Sequence, residues 1–389
     1  MMRLILTNLK HFFATLLLLT GLALLLASYF GTDIDYGDDR RAYKVGDEGP
    51  HVFAQGQQWL VQHIRGDGEK GFYLERQLLA PDQPIASEVY FPLDDQSFPL
   101  QVNTSFVTPP VVSQDDEPVL AVSDIESSFA TLRSFLTSHN VIDTQLNWIF
   151  GRGHLVLLGD FVDRDVSTTQ VLWFIYQLEQ RALAAGGRLH YILGNHEIKN
   201  LQGDFQSAAK KYLFVATVLG RSQAALFGED ALLGRWLASK NTVELINGHL
   251  FVHGGLHPKL ATLDLDLTQL NQHIRAQYRQ GYYPQPNESA QRILVSTRHG
   301  PAWYRGYFDG NLTQAEVAAP LQKFGARAVV VGHTPQWRVK TLYQQKVLAI
   351  GVRHPRDYRG SIPPRSSEGL LIKQGQYFRL TEAGEQQQL

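Results

Sequence analysis

The apolar positions of this chain fall into three regimes. From Phe12 to Phe30 nineteen consecutive residues carry no charge, a run of about 28 Å as a helix, close to the hydrocarbon thickness of a bilayer. From about Gly49 to Thr108 the runs shorten to QWLVQHI, FYLERQLL, SEVYFPL and FPLQVNTSF, divided by Gly, Asp and Pro clusters. That pattern predicts short strands. Beyond the Pro-rich acidic connector TPPVVSQDDEPV (Thr108–Val119), short buried runs such as HLVLLGD, LHYILGNHE, HLFVHGG, AVVVGHT and KVLAIGV alternate with helical spacing. Phe129, Leu132, Phe135 and Leu136 recur at that spacing, as do Val171, Leu172, Phe174, Ile175 and Leu178. Strand and helix in alternation predict an α/β layered domain.

These regimes divide the chain into an apolar segment (1–31), a polar linker (32–43), a small β-rich module (44–112) and an α/β domain (113–389). Arg3, Lys10 and His11 precede the apolar run, and Asp33, Asp35, Asp38 and Asp39 follow it. The positive-inside bias then places the N-terminus in the cytoplasm and the body across the membrane. An uncleaved single-pass anchor is the expectation, because LLASYFG is a poor small-x-small cleavage site; a cleaved signal peptide and a buried core helix are the alternatives. Within the α/β domain, Gly203–Lys240 reads as helical and is expected to form a wall or lid over a site.

Composition narrows the function. With 389 residues and 44% apolar content the chain can bury a sizeable core. A formal net charge of −1 gives no reason to expect nucleic acid as a partner. The chain has no cysteine, which excludes disulfides, thiolate metal sites and a cysteine nucleophile.

The chemistry collects just after the buried runs. LAVS is followed by Asp124 and Glu126, HLVLLG by Asp160, Asp163 and Arg164, LHYILG by Asn195, His196 and Glu197, HLFV by His253, and AVVVG by His333. On an extended chain, alternation would put Asp124 and Glu126 on one side, where two like charges need a cation between them. Each feature alone has a plain reading: a strand-end Asp caps a helix, a lone His is structural, and Gly-Asn or His-Gly-Gly is a turn. Together, five strand ends deliver oxygen and nitrogen ligands to the edge where open α/β sheets bind ligands.

Read as SDIES, GDFVDRD, GNHE, HGGL and GHTP, these blocks resemble the calcineurin-like metallophosphoesterase superfamily. Together with HGPAWYRGY (His299–Tyr307), they are most similar to its Shewanella-like, phosphoprotein-phosphatase-type bacterial branch. The resemblance spans about Val119–Val352. It implies a layered β-sandwich flanked by helices, and two divalent ions about 3.5–4 Å apart. Asp124, Glu126 and Asp160 would hold the first, with Asp160 bridging to a second held also by Asn195, His253 and His333. A hydroxide bridging the ions would attack phosphorus. Arg164 and Arg305 would fork onto phosphate oxygens, and His196, oriented by Asp163, would protonate the leaving oxygen. Arg305 as a surface arginine, and Asp163–His196 as a structural salt bridge, are the plain alternatives. His257 has no assigned role and reads as structural.

Two positions depart from the family pattern: Glu126 stands where His is usual, and Asp165 where Gly is usual. Glutamate would make the first metal position all oxygen from the protein, favouring Mn²⁺ over firmly held zinc, with Fe, Mg or Zn as other possibilities. Asp165 is expected to replace a positive-φ glycine and to add negative charge beside Arg164. The function expected is a dinuclear-metal phosphatase acting on phosphomonoesters of a protein or small molecule. It would sit in a bacterial inner membrane with its catalytic domain in the periplasm. A phosphodiesterase or polyphosphate hydrolase on the same metals, and a catalytically impaired membrane-anchored binding protein, are the rival readings.

Overall fold

The computed structural model describes residues 2–29 and 34–389; the remaining residues of the expected anchor and linker (1 and 30–33) lie outside the described set. Helix α1 (Met2–Tyr29) carries the apolar run, with its side chains exposed as far as they are described. It is long and apolar enough to cross a membrane. The linker is not all loop: β1 (Ile34–Tyr36) is a strand, and Arg40–Tyr43 forms a 3-10 turn capped by Asp39.

The 44–112 region builds a three-stranded antiparallel meander, β2 (His51–Gln55), β3 (Gln58–Asp67) and β4 (Gly71–Leu79), and a hairpin, β5 (Ile85–Phe91) with β6 (Gln96–Val102). Its inward residues, among them Phe53, Ile64, Val89, Phe91 and Leu100, belong to the same apolar cluster as Phe129, Trp173 and Phe174 of the helices beside them. Phe91 and Phe98 meet Phe129 at ring-centroid distances of 4.8 and 5.5 Å. A buried ion pair, Glu48 to Lys211 at 2.8 Å, adds a polar tie to the helix that carries Lys211.

The remainder alternates as β7 (Val112–Ser113), β8 (Val119–Val122), α2 (Phe129–Ser138), β9 (His154–Leu158), α3 (Thr168–Ala184), β10 (Arg188–Ile192), α4 (Asn195–Gln202), α5 (Lys210–Val218), α6 (Leu232–Ala238), β11 (Val243–Ile246), β12 (His249–Val252), α7 (Leu267–Arg275), α8 (Gln314–Lys323), β13 (Ala328–Val331), β14 (Lys340–Leu342), β15 (Val347–Ala349), β16 (Gly360–Ile362), β17 (Glu368–Lys373), β18 (Gln376–Thr381) and β19 (Gln386–Gln388). Two six-stranded mixed sheets result, ordered β10-β9-β8-β17-β18-β19 and β14-β15-β13-β12-β11-β7.

The strand sequences explain the layering. In β8, Val119 and Ala121 enter the core between the sheets, while Leu120 and Val122 face the helices; β9 and β13 divide in the same way. Strands buried on both faces are apolar throughout, which is why these runs read as continuous rather than alternating. β8, β9 and β10 are parallel neighbours, as are β12, β13 and β15. Their carboxyl ends therefore meet at one edge.

Candidate metal centre

The loops at that edge are built from unusual backbone. Asp124, Glu126, Asp160, Asp163, Arg164 and His333 all have positive φ, between 50° and 70°. Non-glycine residues avoid this region, and clusters of such strain gather at functional sites. Strand β8 ends at Val122, so Asp124 and Glu126 are not on an extended chain. Both reach the same cavity because the backbone turns left-handed at each, not because of alternation. The turn is fixed by amide hydrogen bonds from Asp124, Glu126 and Ser127 to the carbonyls of Gly159, Asp160 and Phe161. Gly159, at φ 77°, leaves no room for a side chain: a Cβ there would lie 2.5 Å from the Gly194 nitrogen and 2.7 Å from His253 Nδ1.

Asp160, His253 and His333 each direct a ligand atom to within 4.8 Å of the other two. His253 Nδ1 meets the Leu158 carbonyl at 2.7 Å, which presents Nε2 to Asp160 Oδ2 at 3.1 Å and Asn195 Oδ1 at 3.2 Å. Asp160 Oδ1 accepts from the His196 amide, leaving Oδ2 toward the imidazoles. Asp124 Oδ2 accepts from the Ser123 hydroxyl at 2.6 Å and the His333 amide at 3.1 Å. One carboxylate and two imidazoles thus converge, with the Asn195 amide oxygen and the Asp124 carboxylate beside them. That set suits hard to borderline divalent cations.

The electrostatics agree. Burial pushes the Asp124 carboxyl up to about 6, with Asp160 adding to it. Burial opposes charge on Asp160 too, but His253 and His196 outweigh it and hold that carboxyl below the usual range. Burial also works against charge on His253, yet Asp160 and then Asp124 raise its imidazole to about 9. Burial and His253 together depress His333 to about 2. Protons and cations compete for such a cluster.

Around it stand the other expected residues. His196 Nδ1 lies 2.7 Å from Asp163 Oδ2, and Asn200 donates to Asp163 Oδ1 at 2.8 Å. His196 Nε2 then faces Asp160 Oδ2 at 3.8 Å and Arg164 Nη2 at 3.5 Å. Arg164 Nε pairs with Glu126 Oε1 at 2.9 Å, and Arg356 Nη2 lies 3.6 Å from Glu126 Oε2. Burial raises the Glu126 carboxyl, against the pull of both arginines. Arg305 Nη1 donates to the His333 carbonyl at 3.0 Å. Asp124, Glu126, Asp160, Arg164, Asn195, His196, Arg305 and His333 share one cavity of about 930 Å³.

Several sequence expectations change here. Gly203–Lys240 is helical in part, but among the described residues that line the cavity none belongs to it; its Ser207 carbonyl instead accepts the Arg164 amide. The walls come from 297–312 and 351–356. Asp165 is not among the positive-φ residues, and its carboxylate turns onto the Ser128 hydroxyl and the Asp357 amide. His257 lines the cavity, beside His299 and Tyr304. Glu197, named in the sequence beside Asn195 and His196 but given no role, is fully buried and accepts from the amides of Asp160, Phe161 and Gly194 and from the Tyr191 hydroxyl. It locks two of the site loops together. Asp35 and Arg356 also line the cavity; Asp35 counted in the sequence only as a linker acid, and neither was marked as a site residue.

A family model described as calcineurin-like phosphoesterase matches residues 117–337, so the chain belongs to that family of hydrolases. The solved structure of a cold-active protein-tyrosine phosphatase from a psychrophilic Shewanella species aligns with TM-score 0.74 and 30% identity, covering 88% of this chain and 99% of that one. Among curated relatives, Shewanella-like protein phosphatase 1 of Plasmodium berghei is 28% identical over 229 residues, 56% of this chain and 61% of the relative. Shewanella-like protein phosphatase 2 of Arabidopsis thaliana is 25% identical over 231 residues, 49% and 57%. The chain thus spans about six-tenths of the length of those two relatives. It is similar in sequence and fold to proteins named as phosphatases.

Proposed function

We propose that this protein is a dinuclear-metal phosphatase that hydrolyses phosphomonoesters. The observation that carries the reading is the convergence of Asp160, His253 and His333, with Asn195 bonded to His253 and Asp124 to the His333 amide, beside a cavity lined by Arg164, Arg305 and His196, whose ring Asp163 holds. Asp124, Glu126 and Asp160 would hold one cation; Asp160, Asn195, His253 and His333 would hold the other. Bound there, two divalent ions supply Lewis acidity and a deprotonated water near neutral pH. The all-oxygen first position favours Mn²⁺.

The rest of the chemistry belongs to the chain. Arg164 and Arg305 stand on either side of the cluster and are suited to grip phosphate oxygens by paired N–H donors. Burial works against charge on His196, but Asp160 and Asp163 raise its pKa overall, and its Nε2, facing Asp160, is placed to protonate the leaving oxygen. Asp163 fixes the ring that does so. Likeness to the Shewanella protein-tyrosine phosphatase favours an aryl phosphate such as phosphotyrosine as a substrate.

Helix α1 is read as a single-pass anchor in a bacterial inner membrane, with the body in the periplasm. Only four residues separate Tyr29 from β1, at most about 18 Å of extended chain, so the cavity would open close to the bilayer surface. A reporter fused after Leu389 should be active in the periplasm; activity in the cytoplasm would overturn the placement.

The test of function uses the full chain in detergent, stripped of metal. Hydrolysis of p-nitrophenyl phosphate is followed as Mn²⁺ is added. A saturable rise, abolished in Asp160→Asn, is the expected result. No turnover of monoesters from a folded, metal-loaded protein would favour a phosphodiester or polyphosphate substrate or a binding role.

A further inference from the structure

The juxtamembrane strand reaches into the active centre. β1 runs antiparallel to β16, with Asp35 opposite Ser361. Asp35 Oδ2 lies 2.8 Å from Arg356 Nη1, and its Oδ1 lies 2.7 Å from Arg365 Nη2. The other terminal nitrogen of Arg356 stands 3.6 Å from Glu126 Oε2, and Glu126 Oε1 takes Arg164 Nε at 2.9 Å. Asp35, Arg356, Glu126 and Arg164 form one line of alternating charge, all lining the same cavity.

The distances in this line are unequal. Arg356 is within direct hydrogen-bonding range of Asp35 but not of Glu126. A guanidinium fits a carboxylate best as a two-pronged fork; besides Asp35, Arg356 feels Glu126 and Asp165, and of these two Glu126 is the one within ion-pair distance, at 3.6 Å. Asp35 therefore decides how far Arg356 closes on Glu126. With Arg164 already on one oxygen, a second direct arginine would cancel the attraction of Glu126 for any further cation.

We propose that Asp35 is a positioning residue that draws Arg356 back from Glu126 and so keeps a Glu126 oxygen open to a divalent cation. This rests on the reading of Glu126 as a metal ligand. It makes a residue of the linker part of the metal centre.

The test measures free Mn²⁺ by electron paramagnetic resonance while full-length protein in detergent is titrated. It compares wild type, Asp35→Asn, Arg356→Gln and the double variant. Loss of a group that orients a ligand weakens metal binding by about 10–100-fold. Asp35→Asn should weaken Mn²⁺ binding at least tenfold. Arg356→Gln should bind at least as tightly as wild type. The double variant should return to the level of Arg356→Gln, because no guanidinium remains to close on Glu126. A merely structural role for β1 predicts no such rescue. Asp35→Asn within twofold of wild type, or a double variant as weak as the single, overturns the proposal. Wild type that is folded yet binds no Mn²⁺ would overturn the metal reading itself, a distinct outcome in the same experiment.

Discussion

Strands β9 and β10 carry two clusters of histidine and carboxylate. One, around Asp160 and His253, lies at their carboxyl ends. The other runs from Asp115 to His154 at 2.9 Å, from His154 Nδ1 to His190 Nε2 at 2.8 Å, and from His190 Nδ1 to Glu244 at 2.6 Å. The residue types are the same and both are largely buried. The second cluster is a closed line: each ring nitrogen has its own partner, and its ligand atoms point at one another, away from the cavity. In the first, backbone groups hold Asp160 and His253 from outside, and Asp160, His253 and His333 bring three ligand atoms within 4.8 Å of one another beside the cavity that Asp160 and His333 line. Geometry, not residue count, separates the cluster that could hold a cation from the one that could not.

That contrast can be broken at either end. The largest effect is expected from Asp160→Asn, which removes the charge common to both proposed metal positions. Turnover of p-nitrophenyl phosphate should fall by at least about 10³-fold, with the far-ultraviolet circular dichroism spectrum retained. The mirror experiment is Glu244→Gln. Weakening a buried hydrogen-bonded line should cost about 1–3 kcal/mol of stability. Denaturant unfolding would show it, while turnover per folded molecule stays near wild type. If Glu244→Gln instead abolished turnover without loss of stability, the line would be part of the catalytic machinery.

A smaller loss is expected from His196→Gln: about 10²-fold in kcat on an alkyl phosphate and clearly less on p-nitrophenyl phosphate, whose leaving group needs little help from an acid. Equal losses on both substrates would remove His196 from the acid role.

The smallest effect concerns Asp357, which caps the first turn of α2 through the amides of Ala130 and Thr131. Burial, and then Asp165 beside it, raise its carboxyl to about 7. A raised folded value means the native state holds a proton that the unfolded state has lost. The contribution is complete below pH 3.8 and disappears as pH rises to about 7. Wild type should therefore lose roughly 2–4 kcal/mol relative to Asp357→Asn between those limits, the lower figure allowing for partial exposure. Parallel curves of stability against pH for the two proteins would refute it.

Much of this was legible in the order of residues alone. Doubly buried strands announce themselves as continuous apolar runs, and the residues that follow them must collect at one edge once the strands lie parallel. That logic reached Asp124, Asp160, Asn195, His196, His253 and His333 without coordinates. What the sequence could not carry was anything set by backbone direction or by contact across long separations. Left-handed turns, not alternation, bring Asp124 and Glu126 together. Asp165 turns away from Arg164 because Ser128 and the Asp357 amide receive it, the latter 192 residues along the chain. The helical stretch after Gly203 packs behind the site, and the segments 297–312 and 351–356 wall it. Asp35 looks like one more linker acid until a three-residue strand pairs it across the chain, beside two arginines more than 300 positions away. Local patterning determines which elements form and what chemistry they carry. Only the closing of the sheets decides which charges meet, because a carboxylate has no preferred partner until the fold supplies one.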